Sequence, residues 1–323
     1  MLRVLLSAPY MVPFADRFAP LFKHYGVEII VPDVHERMEE EDLLPYAGQI
    51  DGTICGDDRY SEAVIRSFVP RLKIISKWGT GIDSINKPAA ESLGVMVGNT
   101  PNAFTLPVSD SVLAYILAFA RQQPWMDRLV KSGRWEKIPG RSLSECTLGV
   151  IGVGNIGKAV LRRALGFGMR LLGNDIIDVG HEIVHETGVR MVALEDLLAR
   201  ADFVSLNCDL NPTSLHLMNA ERLALMKPTS VLINTSRGPV VDEPALIRAL
   251  ESKRIAGAGL DVFEEEPLPA ESPLRKMDNV MLAAHNSNSS PTAWERVHWN
   301  TIRNLLIGLK IPCDDLEEWM EKI

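Results

Sequence analysis

The sequence predicts an α/β protein made of two doubly wound parallel-sheet domains with a cleft between them. Three observations predict it. Short apolar runs alternate with helix-forming stretches over residues 1 to about 100, the rhythm of a parallel sheet covered by helices. A second alternation begins near residue 147 and opens on glycines in the spacing G-x-G-x-x-G. With 323 residues the chain is long for one core and sufficient for two.

In the first unit, Arg3–Ser7, Glu28–Val31, Gly52–Cys55, Lys73–Ser76 and Val95–Gly98 read as strands. Pro13–Tyr25, Glu39–Tyr46, Ser61–Phe68 and Ser84–Leu93 read as helices. Asn99-Thr-Pro-Asn102 is a polar break whose proline disfavours helix before it. A helix from about Val108 to Arg121 follows, with Val112, Leu113, Tyr115, Ile116 and Phe119 forming a broad apolar face. Residues 122–146 read as irregular, with Trp125, Trp135, Pro124 and Pro139, an aromatic-bearing segment that is either an intradomain brace or, the favoured reading, a dimer contact.

The second unit starts at Thr147. Leu148–Ile151 reads as a buried strand and Asn155–Leu165 as a helix. Gly152 permits the tight turn between them, Gly154 lets a pyrophosphate approach the backbone, and Gly157 lets the helix pack close to the sheet. The helix N-terminus offers N–H groups and a positive dipole end to phosphates. A second apolar run, Met169–Gly173, ends at Asp175, where a carboxylate can accept from ribose hydroxyls. No Arg or Lys lies between Asn174 and Val179 to receive a 2′-phosphate, so the reading is NAD rather than NADP. Asp202–Asn207, Ser230–Asn234, Gly257–Asp261 and Val280–Ala283 continue the strand series. Asp242 is expected to cap a helix over Ala245–Ser252, with Pro244 in its first turn. The last long helix spans about Thr292 to Leu309. If it packs back on the first unit, Asn99–Asn102 and Asn286–Pro291 are two hinge strands, and closure excludes water.

Composition excludes several classes. A net charge of −8 offers no general surface for nucleic acid or an anionic membrane. The longest apolar run, Val112–Ala120, is too short to span a bilayer. Cys55, Cys146, Cys208 and Cys313 form no C-x-x-C pair and read as buried thiols. Met1-Leu-Arg-Val-Leu-Leu enters a strand directly, without the regions of a signal peptide, so a cytoplasmic location is expected. His181-Glu-Ile-Val-His185 matches H-E-x-x-H, but zinc needs a third protein ligand, and the stretch reads as a surface helix.

Four motifs in order carry a resemblance: Gly149–Gly157, Asn234-Thr-Ser-Arg-Gly-Pro-Val-Val-Asp242, Leu260-Asp-Val-Phe-Glu-Glu-Glu-Pro267 and His285. With Lys77-Trp-Gly-Thr-Gly-Ile-Asp83 they cover most of residues 75–290, and the chain resembles the D-isomer-specific 2-hydroxyacid dehydrogenases. The resemblance implies a discontinuous flavodoxin-like substrate domain, 1–100 plus 287–323, and a Rossmann NAD-binding domain, 101–286. It implies a catalytic set of Arg237, Glu266 and His285. An alkoxide formed by hydride transfer needs a proton, which a histidine titrating near neutrality can give. A neighbouring carboxylate favours the imidazolium, and an arginine fork suits a substrate carboxylate.

The resemblance also implies backbone contacts from Gly79, Thr80 and Gly81 to that carboxylate. It implies cofactor contacts at Gly152, Gly154, Asn155, Ile156, Gly157, Asp175, Asn207, Cys208, Ser214, Thr235 and Asp261. Lys77 and Arg59 are candidates for a second substrate anion, although Asp57 and Asp58 could neutralise Arg59. The chain departs from the family pattern around the histidine, with Ala284 before it and Asn286-Ser-Asn-Ser-Ser290 after it. That run either bonds the nicotinamide amide or a polar substrate tail, or is a solvated hinge.

The expected activity is NAD-dependent interconversion of a small anionic 2-oxo acid and its D-2-hydroxy acid, in a homodimer. Glyoxylate, hydroxypyruvate and 3-phosphoglycerate-like acids are the candidate substrates. The rivals are an NAD-sensing corepressor-like interaction protein and a relative that oxidises a small anion such as phosphite or formate.

Overall fold

A computed structural model describes all 323 residues. The chain folds as two compact units, Met1–Ala103 with Ser290–Ile323, and Phe104–Ser289.

The first unit opens with β1 (Leu2–Leu6), α1 (Ala15–His24), β2 (Val27–Ile30), α2 (Glu40–Leu43) and β3 (Gly52–Cys55). It continues with α3 (Glu62–Phe68), β4 (Ile74–Lys77), α4 (Lys87–Ser92) and β5 (Met96–Gly98). The strands are parallel, in the order β2-β1-β3-β4-β5. Ser61 caps α3 and Asn86 caps α4 through side-chain oxygens, which explains why each helix starts where it does. Burial of Val64, Ile65 and Phe68 against Ile75 and Leu5 fixes α3 on one face of the sheet.

The second unit begins with α5 (Thr105–Arg121), α6 (Gln123–Lys131), β6 (Thr147–Ile151), α7 (Asn155–Gly166) and β7 (Arg170–Asn174). Next come α8 (His181–Thr187), β8 (Arg190–Met191), α9 (Leu194–Arg200), β9 (Phe203–Leu206) and α10 (Ala220–Leu225). It closes with β10 (Val231–Asn234), α11 (Glu243–Glu251), β11 (Gly257–Leu260) and β12 (Val280–Leu282). All seven strands are parallel, in the order β12-β11-β10-β9-β6-β7-β8. The direction of winding reverses between β6 and β9, where open α/β sheets bind ligands beyond the strand ends. One apolar core lies on each face, one centred on Leu197, Leu232 and Leu246, the other on Ile116, Val160 and Phe203. Asp242 caps α11 by accepting from the Ala245 N–H, as its sequence position predicts.

α12 (Pro291–Gly308) and α13 (Leu316–Lys322) return to the first unit. α12 packs on β3, β4 and β5, burying Ile302, Leu305 and Leu306. No helix is long and apolar enough to cross a membrane.

Two expectations need correction. α5 starts at Thr105, three residues before the expected Val108, because Pro107 is tolerated in a first helical turn. The segment 122–146 is not irregular throughout. Gln122 turns the chain in a left-handed conformation (φ 55°), and α6 begins at once with Pro124 in its first turn. Trp125 on α6 packs on Phe119 at 5.0 Å and donates its indole N–H to the Asp278 carbonyl, so it braces its own unit. Trp135 is 89% exposed.

Candidate active site

The sheet register of the second unit gathers the site. Ile151, Asn174, Leu206, Asn234, Leu260 and Leu282 share one rung across six strands. Gly152, Asp175, Asn207, Thr235 and Asp261 each follow that rung by one residue. Arg237, Glu266 and His285 lie on the loops leaving β10, β11 and β12. Residues scattered over more than 130 positions of sequence thus share one edge of one sheet.

On the β6 side the glycines fit the tight turn. Gly152 has φ +84°, and a Cβ there would stand 2.6 Å from the Cys208 nitrogen. A Cβ on Gly157 would stand 2.1 Å from the Gly152 carbonyl oxygen. Around Gly154, by contrast, a Cβ meets nothing within 4 Å, which is the room a pyrophosphate needs. Gly154 is also the N-cap of α7, so no side chain caps the first turn. The Asp175 carboxylate reaches into this turn and accepts the Val153 N–H at 2.6 Å. Asn155 is exposed there, whereas Ile156 packs partly into the core.

Thr235 carries a second mark of an absent partner. Its hydroxyl is buried and has no hydrogen-bond partner. Buried hydroxyls are rarely left so. The three others in this state, Ser84, Ser272 and Thr301, lie off the rung. The open Gly154 turn and the orphaned Thr235 hydroxyl both fit a dinucleotide.

Other expected cofactor contacts have structural work of their own. Ser214 donates to the Asp209 carbonyl and accepts the Asn211 N–H, closing the loop after β9. Asn207 donates to the Ser205 carbonyl at 3.1 Å. Burial pushes the Cys208 thiol up to about 11, so it stays neutral at physiological pH. Asp261 is buried and gives one oxygen to the Asn286 N–H at 2.8 Å and the other to the Ser287 N–H at 2.9 Å. Its carbonyl accepts the His285 N–H. Asp261 therefore clasps the turn in which His285 adopts a left-handed backbone (φ 49°).

The His285 imidazole is held in turn. Its Nδ1 lies 2.9 Å from Glu266 Oε2, and Glu266 Oε1 accepts the Phe263 N–H at 2.9 Å. The Glu266 carboxylate thus fixes the ring through its Nδ1 side. Arg237 sits on extended backbone (φ −142°) beyond β10. Asn234 shapes that loop: its Oδ1 accepts the Ser236 N–H, and its Nδ2 donates to the Arg237 carbonyl. Gly238 presses so closely on the 263–264 backbone that a Cβ there would lie 1.8 Å from the Phe263 oxygen. The loops of Arg237 and Glu266 therefore touch.

Neither Asn234 nor the clasp of Asp261 on residues 286 and 287 is foreseen from the sequence. An Asn closing a strand ahead of Thr-Ser-Arg was the available signal for the first. The Asp261 clasp spans 25 residues and leaves no local signal.

In the first unit, Gly79 is buried and its carbonyl accepts the Thr100 N–H, while Thr80 is exposed. Lys77 is buried, with Nζ 3.0 Å from Asp57 and 3.2 Å from the Trp78 carbonyl. Arg59 is 3.9 Å from Glu39. His181 and His185 lie exposed on α8, as a surface helix requires.

This is a dinucleotide-binding domain carrying a carboxylate-held histidine and an arginine on neighbouring strand ends. Known proteins with the same layout make the class specific. The NAD-binding domain model of D-isomer specific 2-hydroxyacid dehydrogenases matches residues 113–287. A glyoxylate reductase of Korarchaeum cryptofilum is 41% identical over 76% of this chain and 75% of its own length. A D-3-phosphoglycerate dehydrogenase of Synechocystis is 37% identical over 86% of this chain and 50% of its own. The crystal structure of an Aquifex aeolicus D-lactate dehydrogenase complexed with NAD and lactic acid superposes with a TM-score of 0.84, at 26% identity over 95% of both chains. The chain belongs to the D-2-hydroxyacid dehydrogenase family and is an NAD-dependent oxidoreductase.

Proposed function

We propose that the enzyme reduces a small, singly charged 2-oxo acid of the glyoxylate type to its 2-hydroxy acid, D-configured where C2 is chiral. His285 is the proton donor, Glu266 its holder, and Arg237 the anchor of the substrate carboxylate. The observation that carries this is the Glu266–His285 contact on the same strand edge as the glycine turn.

Bound NAD supplies or accepts the hydride at C2. The chain's own residues handle the charge and the proton. Arg237 offers a planar fork of donors to the carboxylate and carbonyl oxygen, which orients the acid. As C2 is reduced, its oxygen must gain a proton, and His285 delivers one from Nε2. Glu266 fixes the ring through Nδ1 and stabilises the imidazolium that precedes this step. In the reverse direction the same nitrogen takes the proton from the hydroxyl. Gly79, Thr80 and Gly81 supply backbone N–H groups to the substrate carboxylate. Gly152, Gly154, Asp175 and Thr235 hold the dinucleotide, with Asn155, Ile156, Gly157, Asn207, Cys208, Ser214 and Asp261 around it.

Charge pairing favours the small acid over a phosphorylated one. Lys77 is already matched by Asp57, and Arg59 faces Glu39. The name of the Korarchaeum relative, a glyoxylate reductase, points the same way. The test is NADH oxidation against glyoxylate, hydroxypyruvate, pyruvate and phosphorylated 2-oxo acids, with NADPH as control. Turnover of glyoxylate or hydroxypyruvate with NADH preferred is the expected result. A preference for phosphorylated acids would return Lys77 and Arg59 to the site.

The working form is a homodimer, a reading supported by the exposed Trp135 at the end of a segment that otherwise braces its own unit.

A further inference from the structure

Trp78 stands immediately before the Gly79–Gly81 loop and is 3% exposed. A buried indole N–H needs an acceptor. It finds one 220 positions further along the chain, on α12: Trp78 Nε1–H donates to His298 Nδ1 at 2.9 Å.

 Both residues belong to the first unit.

His298 is itself 2% exposed, with Phe14 and Phe18 ring centroids at 5.2 and 5.9 Å. Burial pushes its titration down to about 4. The ring is therefore neutral at physiological pH, with its proton on Nε2 and the Nδ1 lone pair turned to Trp78.

The same helix holds the rest of the loop's surroundings. Ser76 donates to the Thr301 carbonyl at 2.8 Å. Asn300 donates to Thr100 Oγ1 at 2.9 Å, and Asn304 to the Asn99 carbonyl at 3.0 Å. Thr100 and Asn99 in turn hold the loop: Thr100 N–H donates to the Gly79 carbonyl, and Asn99 Nδ2 to the Thr80 carbonyl at 2.6 Å. α12 thus grips the Gly79–Gly81 loop at its entry through Trp78 and along its side through residues 99 and 100.

We propose that His298 is a positioning residue for substrate binding: by accepting the Trp78 indole N–H it sets the Gly79–Gly81 loop that receives the substrate carboxylate. This rests on the reading of that loop given above. His298 touches neither substrate nor cofactor in this account and acts through Trp78 alone.

The test compares His298→Leu, which removes the acceptor, with His298→Asn, whose Oδ1 can stand where Nδ1 stood. Each is measured with the most active acid of the 2-oxo acid panel. His298→Leu is expected to raise KM for the acid about tenfold, because it strands a buried donor beside the loop. NADH affinity, measured by fluorescence titration, stays unchanged, since its proposed site is in the other unit. His298→Asn recovers most of the KM. In a cycle with Trp78→Phe, the double variant is expected to match the worse single variant, because the two residues act as one unit. Additive effects, or an unchanged KM in a His298→Leu protein that still unfolds cooperatively, would overturn the proposal. A KM loss equal in the Leu and Asn variants would overturn it as well. Gly79→Ala separates the two layers: Gly79 has φ +122°, so the substitution strains the loop directly. If Gly79→Ala raises KM and His298→Leu does not, only the positioning role fails. If neither does, or if no acid of the panel is turned over, the reading of the loop fails and the proposal goes with it.

Discussion

If Thr235 holds the dinucleotide as proposed, it separates folding from binding at a single atom. Its buried hydroxyl has no partner within the chain, so folding gains nothing from it. Thr235→Val keeps the shape and removes the polar atom. The variant is expected to unfold at the same temperature or higher, and to bind NADH about fivefold more weakly, as the loss of one hydrogen bond implies. Calorimetric titration with NADH and a thermal melt together check this; a lower melting temperature with unchanged NADH affinity would make the hydroxyl structural. Asp261 shows the converse. Sequence reasoning places it beside the cofactor, but both of its oxygens hold the backbone after His285. The tight glycine turn answers to a chemical pattern and was legible in the sequence, as the close approaches at Gly152 and Gly157 show. Side chains whose partner is a backbone N–H many residues away were not.

At the scale of elements, strand positions were legible because buried parallel strands are short continuous apolar runs bounded by turn residues. β8 was missed because two residues leave no run to see. α6 was missed because Pro124 and the two tryptophans resemble a loop, whereas proline in a first turn is compatible with helix. The β3 end holds a charge that folding alone would not choose. Asp58 is fully buried, accepts from the Ser7 hydroxyl and the Met38 N–H, and is raised to about 6 by burial. A carboxyl raised in the folded state contributes stability below its unfolded pKa near 3.8, and that contribution is lost as pH rises through 6. Asp58→Asn has no such loss. The variant is expected to be more stable than the parent at pH 7 and to lose that advantage by pH 4, measured as the difference in urea midpoints. An equal difference at both pH values would show that folding does not shift the Asp58 carboxyl from its unfolded value.

At the scale of the whole molecule, the chain leaves its first unit at residue 103, builds the second, and returns at residue 290. The return is what gives the first unit α12, and α12 carries every contact that shapes the Gly79–Gly81 loop from the C-terminal side. Trp135 has no comparable role inside its unit, and its exposure suits a second copy of the chain. Trp135→Ser is expected to shift the dimer toward monomer in sedimentation analysis while leaving the melting temperature of the monomer unchanged. A parent protein that sediments as a monomer would remove the proposed dimer. The central claim, however, concerns one proton. Its most direct measurement is the single-turnover rate of NADH oxidation with glyoxylate in the parent and in His285→Gln, with the NADH dissociation constant measured alongside. The expected result is a rate loss of about 10²–10⁴ with NADH affinity unchanged. A rate within a few-fold of the parent would contradict it, and the proton would have to come from another group.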